Sequence, residues 1–196
     1  MGDMRVGLRE AKKAALERQL AAVSFELVSD RRFADVTIDD IVERANVSRR
    51  TFSNYFCCKE KAVATVAIHR AEKSLSEWSP VANAPLIAMV RQLVQHQFAS
   101  GALGTIAQLA ALTEEYPPFL PYFREAQWQM WARAADRVLE VTGSTDAAAR
   151  TDVMAVMGAL YGVVDAHWTG ADGDAGLAGL GGSVGRVLDR LETAFS

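Results

Sequence analysis

Cysteine is nearly absent from this chain: Cys57 and Cys58 are the only two, and they are adjacent. Neighbouring residues supply neither a disulfide framework nor the spaced ligands of a zinc site, so no metal is expected and a reducing compartment is the natural setting. They read as small residues of a short loop, with a thiol redox role as the lesser alternative. Histidine is scarce too. His69, His96 and His167 stand far apart without a partner motif, and no glycine-rich phosphate loop precedes a helix, so neither an enzyme nor a bound cofactor is expected. The start, MGDMRVGLREAKK, lacks the apolar core of a secretory signal, and the longest unbroken apolar run, Ala155 to Val164, is too short to cross a bilayer. A cytoplasmic protein without a membrane partner is expected.

Acidic residues are missing from one stretch in particular. Between Arg44 and Lys59 there is none, while Arg44, Arg49, Arg50 and Lys59 supply positive charge in a chain of net charge −3. Residues 1–61 hold twelve Lys and Arg against ten Asp and Glu, and the remainder holds nine against fourteen. The basic surplus would attract phosphates; the acidic remainder argues against nucleic acid there. At 50% hydrophobic residues, the composition is ample for a buried core.

The segment TIDDIVERANVSRRTFSNYFCCK, Thr37 to Lys59, is the centre of the pattern. Thr37 and Asp40 have capping-box spacing, with Asp where Glu or Gln is usual, so a helix starts at Thr37, and Ile38, Ile41, Val42 and Ala45 form its apolar face. Asn46 tolerates a left-handed backbone, which makes Ala-Asn-Val a turn, and Ser48 then caps a second helix. In that helix Phe52 with Tyr55 or Phe56 can face inward, while Arg49, Arg50, Ser53 and Asn54 point out. Two helices, a tight turn and a polar, arginine-bearing second helix make a helix-turn-helix.

The residues Thr37-x-x-x-Ile41, Ala45-Asn46-Val47-Ser48, Thr51-Phe52-Ser53-Asn54-Tyr55-Phe56 and Lys59-Glu60-Lys61 resemble the DNA-binding domain of the TetR family of bacterial transcriptional repressors, over about residues 10 to 65. Three positions depart from the family pattern: Asn46 replaces the usual Gly, Arg32 stands where many members have Gly, and Ser53 replaces an aromatic residue. The resemblance implies an all-α protein. A three-helix DNA-binding domain over 1–61 would be followed by a helical ligand-binding and dimerisation domain over 62–196.

The rest of the chain fits that division. Leu16, Leu20, Val23 and Leu27 predict a first helix from about Arg9 to Val28 after a basic arm, and Phe33 and Val36 close the small core. A fourth helix runs from Lys59 or Glu60 to about Trp78 on a stripe of Ala62, Val63, Val66 and Ala67, stopped by Ser79-Pro80. Further helices are expected over Leu86–Phe98, Thr105–Thr113 and Pro121–Val141, and from a cap at Ser144 or Thr145 to Trp168. Seven of the fourteen glycines lie in 170–185, so the last helix is expected only from Val184 to Phe195. The pairs Gly158/Gly162 and Gly181/Gly185 leave notches that fit either the family's four-helix dimer interface or close packing within the chain.

The expected function is that of a ligand-responsive homodimeric repressor reading a palindromic site on double-stranded DNA. Ser48, Arg49, Arg50, Thr51, Ser53 and Asn54 belong to the DNA-facing surface, with Tyr55, Lys59 and the Thr37 helix start on phosphates. Phe98, Trp128, Trp131, Met157 and Tyr161 are candidate contacts for a small hydrophobic effector. Trp168 gives the body a similarity to members that sense fatty acyl-CoA or other hydrophobic molecules; a drug-like aromatic is the other option. The competing reading is a protein-interaction bundle of the same fold without specific DNA binding.

Overall fold

The computed structural model describes residues 2–143, 146–169 and 176–194. Among the described residues every regular element is helical: α1 (Gly2–Asp30), a 3-10 turn (Phe33–Asp35), α2 (Ile38–Ala45), α3 (Arg49–Ser53), α4 (Lys59–Glu77), α5 (Leu86–Ala99), α6 (Ala102–Glu115), a second 3-10 turn (Pro117–Phe119), α7 (Leu120–Thr142), α8 (Ala147–Thr169) and α9 (Leu177–Ala194). The chain divides into two compact units, one formed by residues 1–69 with 112–126, the other by 70–111 with 127–196.

The core of the first unit gathers round Phe33, which is fully buried. Its ring stacks on Tyr116 at 4.7 Å and lies 5.3 Å from Phe119, while its N–H donates to Glu115 Oε1 at 3.0 Å. Leu20 and Leu27 of α1, with Ile41, Phe52 and Phe56, complete it. Every residue of α4 from Ala62 to Ile68 is buried, so the stripe expected there is in fact a helix covered all round. Three alanines and Thr65 make that possible, because small side chains let neighbours approach from several sides.

In the second unit Val90, Leu93, Val138, Val156, Leu160, Leu180 and Leu188 form one buried cluster. Gly101 at φ +76° closes α5 and Gly143 at φ +60° closes α7, each taking the left-handed conformation that costs a residue without Cβ little. The last helix departs from expectation. It begins at Leu177, seven residues before Val184, and contains Gly179, Gly181, Gly182 and Gly185. Leu180, Val184 and Leu188 give it a buried stripe, and the Phe98 ring sits 3.6 Å from where a Cβ at Gly181 would stand. Packing therefore overrides glycine's poor helix propensity. The expected caps Ser144 and Thr145, and Phe195, lie outside the described residues.

Within Ala147–Trp168 of α8 an 18-residue window has a mean hydropathy of 1.3, which makes the helix long and apolar enough by composition to cross a bilayer, although only 28% of that window is buried. Charged or polar residues interrupt it, which is why no single apolar run of that length was visible. Gly158 and Gly162 lie on its exposed side, and a Cβ at either would meet nothing within 4 Å.

Candidate nucleic-acid interface and apolar cavity

α2 starts as its sequence dictates. The Asp40 N–H donates to Thr37 Oγ1 at 3.2 Å and the Thr37 N–H donates to Asp40 Oδ2 at 2.8 Å, a reciprocal capping box with Asp in the usual Glu position. The hydrogen bonds to Thr37 hold the Asp40 carboxyl below the usual carboxylate range, with the Arg31 guanidinium 3.2 Å away adding to the effect. Asn46 ends the helix at φ 54°, ψ 50°, and the Val47 N–H reaches back to Val42 O at 2.9 Å. The left-handed residue turns the chain sharply, and Ser48 at once caps α3 by accepting from the Thr51 N–H at 3.0 Å.

Phe52 and Phe56 anchor the underside of this turn, both buried with ring centroids 5.7 Å apart. Opposite them Ser48, Arg49, Arg50, Ser53 and Asn54 are exposed, with Thr51 and Tyr55 half-buried at the edges. The regular part of α3 is short. It ends at Ser53, and Asn54 and Tyr55 continue as turn.

Folding redistributes the positive charge of this stretch. Lys59, expected on a phosphate, turns inward instead: its ammonium donates to Phe33 O at 2.7 Å and Val36 O at 2.6 Å and lies 4.8 Å from the Phe33 ring centre. Those acceptors belong to the loop between α1 and α2, twenty and more residues earlier, so the lysine closes a loop. Arg49 donates through Nε to Asp39 Oδ1 at 2.6 Å and through Nη2 to Asp39 Oδ2 at 2.9 Å. Arg44 and Arg50 are exposed. The first turn of α2, where Thr37 stands, carries both Asp39 and Asp40, so a phosphate near Thr37 would meet two carboxylates as well as the helix amino end. Asp39 was not among the sequence candidates. Its signal was available only as an acidic residue ten positions before an arginine across the turn.

Cys57 and Cys58 follow, with Sγ atoms 3.7 Å apart. Burial pushes the Cys58 thiol up, against hydrogen bonds from Tyr122 and the Lys61 N–H, and Tyr122 is pushed up to about 12, chiefly by its hydrogen bond with Cys58.

Within the second unit an apolar cavity of about 60 Å³ opens between α4, α5, α6, α7, α8 and α9, lined by Leu93, Val94, Trp131, Met157, Leu160 and Val184 among others, with Gln97 the polar residue of the lining. Of the five expected ligand contacts it takes Trp131 and Met157. Phe98, Trp128 and Tyr161 do not line it. Phe98 packs on Gly181, Trp128 is 55% exposed, and Tyr161 meets Trp128 and Trp131 edge-on at 5.7 and 6.2 Å. Trp128 and Trp131 are three residues apart on α7, close enough to touch one partner yet on opposite sides of the boundary between surface and cavity.

Two short helices crossing at an asparagine turn, a polar outer face on the second and a separate all-helical body define a helix-turn-helix regulator fold. Residues 20–64 match the family of bacterial regulatory proteins, tetR family. The helix-turn-helix segment of the chain is thus similar to that of the TetR family. The chain is 35% identical over 74 residues to the HTH-type transcriptional regulator EthR of Mycobacterium tuberculosis (strain ATCC 25618 / H37Rv) and, equally, of Mycobacterium bovis (strain ATCC BAA-935 / AF2122/97). That similarity covers 35% of this chain and 34% of each relative, so the chain spans about a third of the length of the curated relatives it matches. A TetR transcriptional regulator from Rhodococcus sp. RHA1 shares the fold over 94% of this chain and 100% of its own, at a TM-score of 0.59 and 16% identity.

Proposed function

We propose that this protein is a cytoplasmic, homodimeric transcriptional repressor that binds a palindromic operator through residues 1–61 and is released from it by a small, uncharged hydrophobic effector held in residues 62–196. The observation that carries the reading is the exposed Ser48-Arg49-Arg50 and Ser53-Asn54 face, fixed by a capped turn over buried Phe52 and Phe56. A rigid polar face of that kind suits the major groove, with Arg50, Thr51, Ser53 and Asn54 toward bases and Ser48 and Tyr55 toward phosphates.

Homodimerisation is supported by α8: an apolar helix left largely uncovered, with Gly158 and Gly162 where a second backbone could approach. The effector class follows from the cavity lining, which offers hydrocarbon and aromatic surface and no charged partner. At about 60 Å³ the cavity is smaller than typical ligand pockets of about 300–1,000 Å³, so an effector must widen it. That widening supplies the required coupling, since a ligand moves an equilibrium only by binding its two states unequally.

The test combines light scattering with selection of duplexes from a random library at physiological salt. A dimer that enriches a palindrome, and loses it on adding a hydrophobic effector, supports the proposal. A monomer, or equal retention of every duplex, removes it and favours the interaction-bundle alternative.

A further inference from the structure

We infer that Arg49 reads a guanine and that Asp39 is the positioning residue that aims it. The inference rests on the proposed DNA binding and adds a base preference and a residue to it. A guanidinium offers five N–H donors in two usable forks, a side-on pair from Nε and one Nη2 hydrogen, and an end-on pair from Nη1 and the other Nη2 hydrogen. Asp39 takes the side-on fork with both carboxylate oxygens, at 2.6 and 2.9 Å. The end-on fork remains, and its two parallel donors match the O6 and N7 acceptors that guanine alone presents together in the major groove.

Position and exposure favour this use of the pair over a purely structural one. Both side chains are well exposed, 65% for Arg49 and 68% for Asp39, so the ion pair adds little to folding in water. What it does achieve is conformational. Arginine has several rotatable bonds, and an ion pair across the turn from α2 biases it toward one direction before any duplex arrives, which lowers the ordering cost of binding. Arg49 is the first residue of α3, beside the Ser48 cap, on the same outer face as Arg50 and Asn54. Asp39 also keeps Arg49 from acting as a free phosphate binder: with its charge offset, the arginine gains more from a base edge than from backbone attraction.

The test is duplex selection from a random library with the full-length protein and its Asp39→Asn, Arg49→Lys and Arg49→Ala variants, each checked for native helicity. Wild-type protein should enrich a motif containing guanine at one symmetric pair of positions, with about ten-fold to a hundred-fold discrimination there. Arg49→Ala and Arg49→Lys should lose that preference and keep the others, since lysine keeps the charge but lacks the fork. Asp39→Asn should weaken the preference at the same position selectively, and should change base preference no further when added to Arg49→Ala. An Asp39→Asn protein that keeps full guanine preference, whatever its overall affinity for duplexes, overturns the inference while leaving the repressor reading intact. A wild-type protein that enriches no motif overturns both.

Discussion

The Lys59 ammonium donates to the main-chain oxygens of Phe33 and Val36, at 2.7 and 2.6 Å, and so ties the start of α4 to the loop between α1 and α2. A cation in the most basic segment of the chain thus stabilises the fold of the first unit. Replacing it, Lys59→Met, removes a charged donor from two partly buried carbonyls, of which Phe33 O keeps the Val36 N–H, and should cost about 1–3 kcal/mol in urea unfolding. Had Lys59 been a phosphate contact only, stability would stay unchanged and the salt dependence of duplex binding would fall by about one charge.

Acid sensitivity follows from the capping box. The folded Asp40 carboxyl titrates below its ordinary value because Thr37 and Arg31 favour its ionised form. Its stabilisation is therefore present above the unfolded value of about 3.9 and is lost as the pH falls through the lower folded value. Asp40→Asn should flatten the decline in urea midpoint that wild-type protein shows between about pH 5 and about pH 3. An unchanged acid slope in that variant would assign the decline to other carboxylates.

Gly158 offers a test of the proposed association apart from chain folding. A Cβ there meets nothing within 4 Å in its own chain, and glycine inside a helix costs about 1 kcal/mol relative to alanine. Gly158→Leu should leave the helical signal intact or slightly raise thermal stability per chain, while shifting sedimentation from dimer toward monomer. A Gly158→Leu protein that remains fully dimeric would place the association surface elsewhere.

The two thiols should react at different rates. Cys57 is exposed, whereas Cys58 is partly covered and burial pushes its thiol up. Because thiolate is the nucleophile, iodoacetamide near neutral pH should label Cys57 in a fast phase and Cys58 in a slow one, and Cys57→Ser should abolish the fast phase. Mass spectrometry of the two products decides the order.

Much of this fold was legible because it is written in local chemistry. Thr37, Asp40, Asn46 and Ser48 specify caps and a turn from their own side chains and backbone preferences, within a few residues of each other, and the structure places each as its type dictates. Gly101 and Gly143 end their helices for the same reason. The glycine-rich last helix was not legible, because its start depends on Phe98 and the buried stripe around Leu180 rather than on propensity.

By itself, then, the sequence determined where α2 and α3 begin and how the chain turns between them, and that Phe52 goes inside, since these follow from spacing along one short segment. Only the tertiary structure decided which charges remain for a partner. Lys59 and Arg49 count as positive in the sequence, yet one is folded onto main-chain oxygens and the other onto a carboxylate from the neighbouring helix. Charge is a property of a residue, but availability depends on what distant parts of the chain bring within hydrogen-bonding distance. The same holds for the cavity, where Trp131 lines the wall and Trp128 faces water although both stand on one helix only a turn apart.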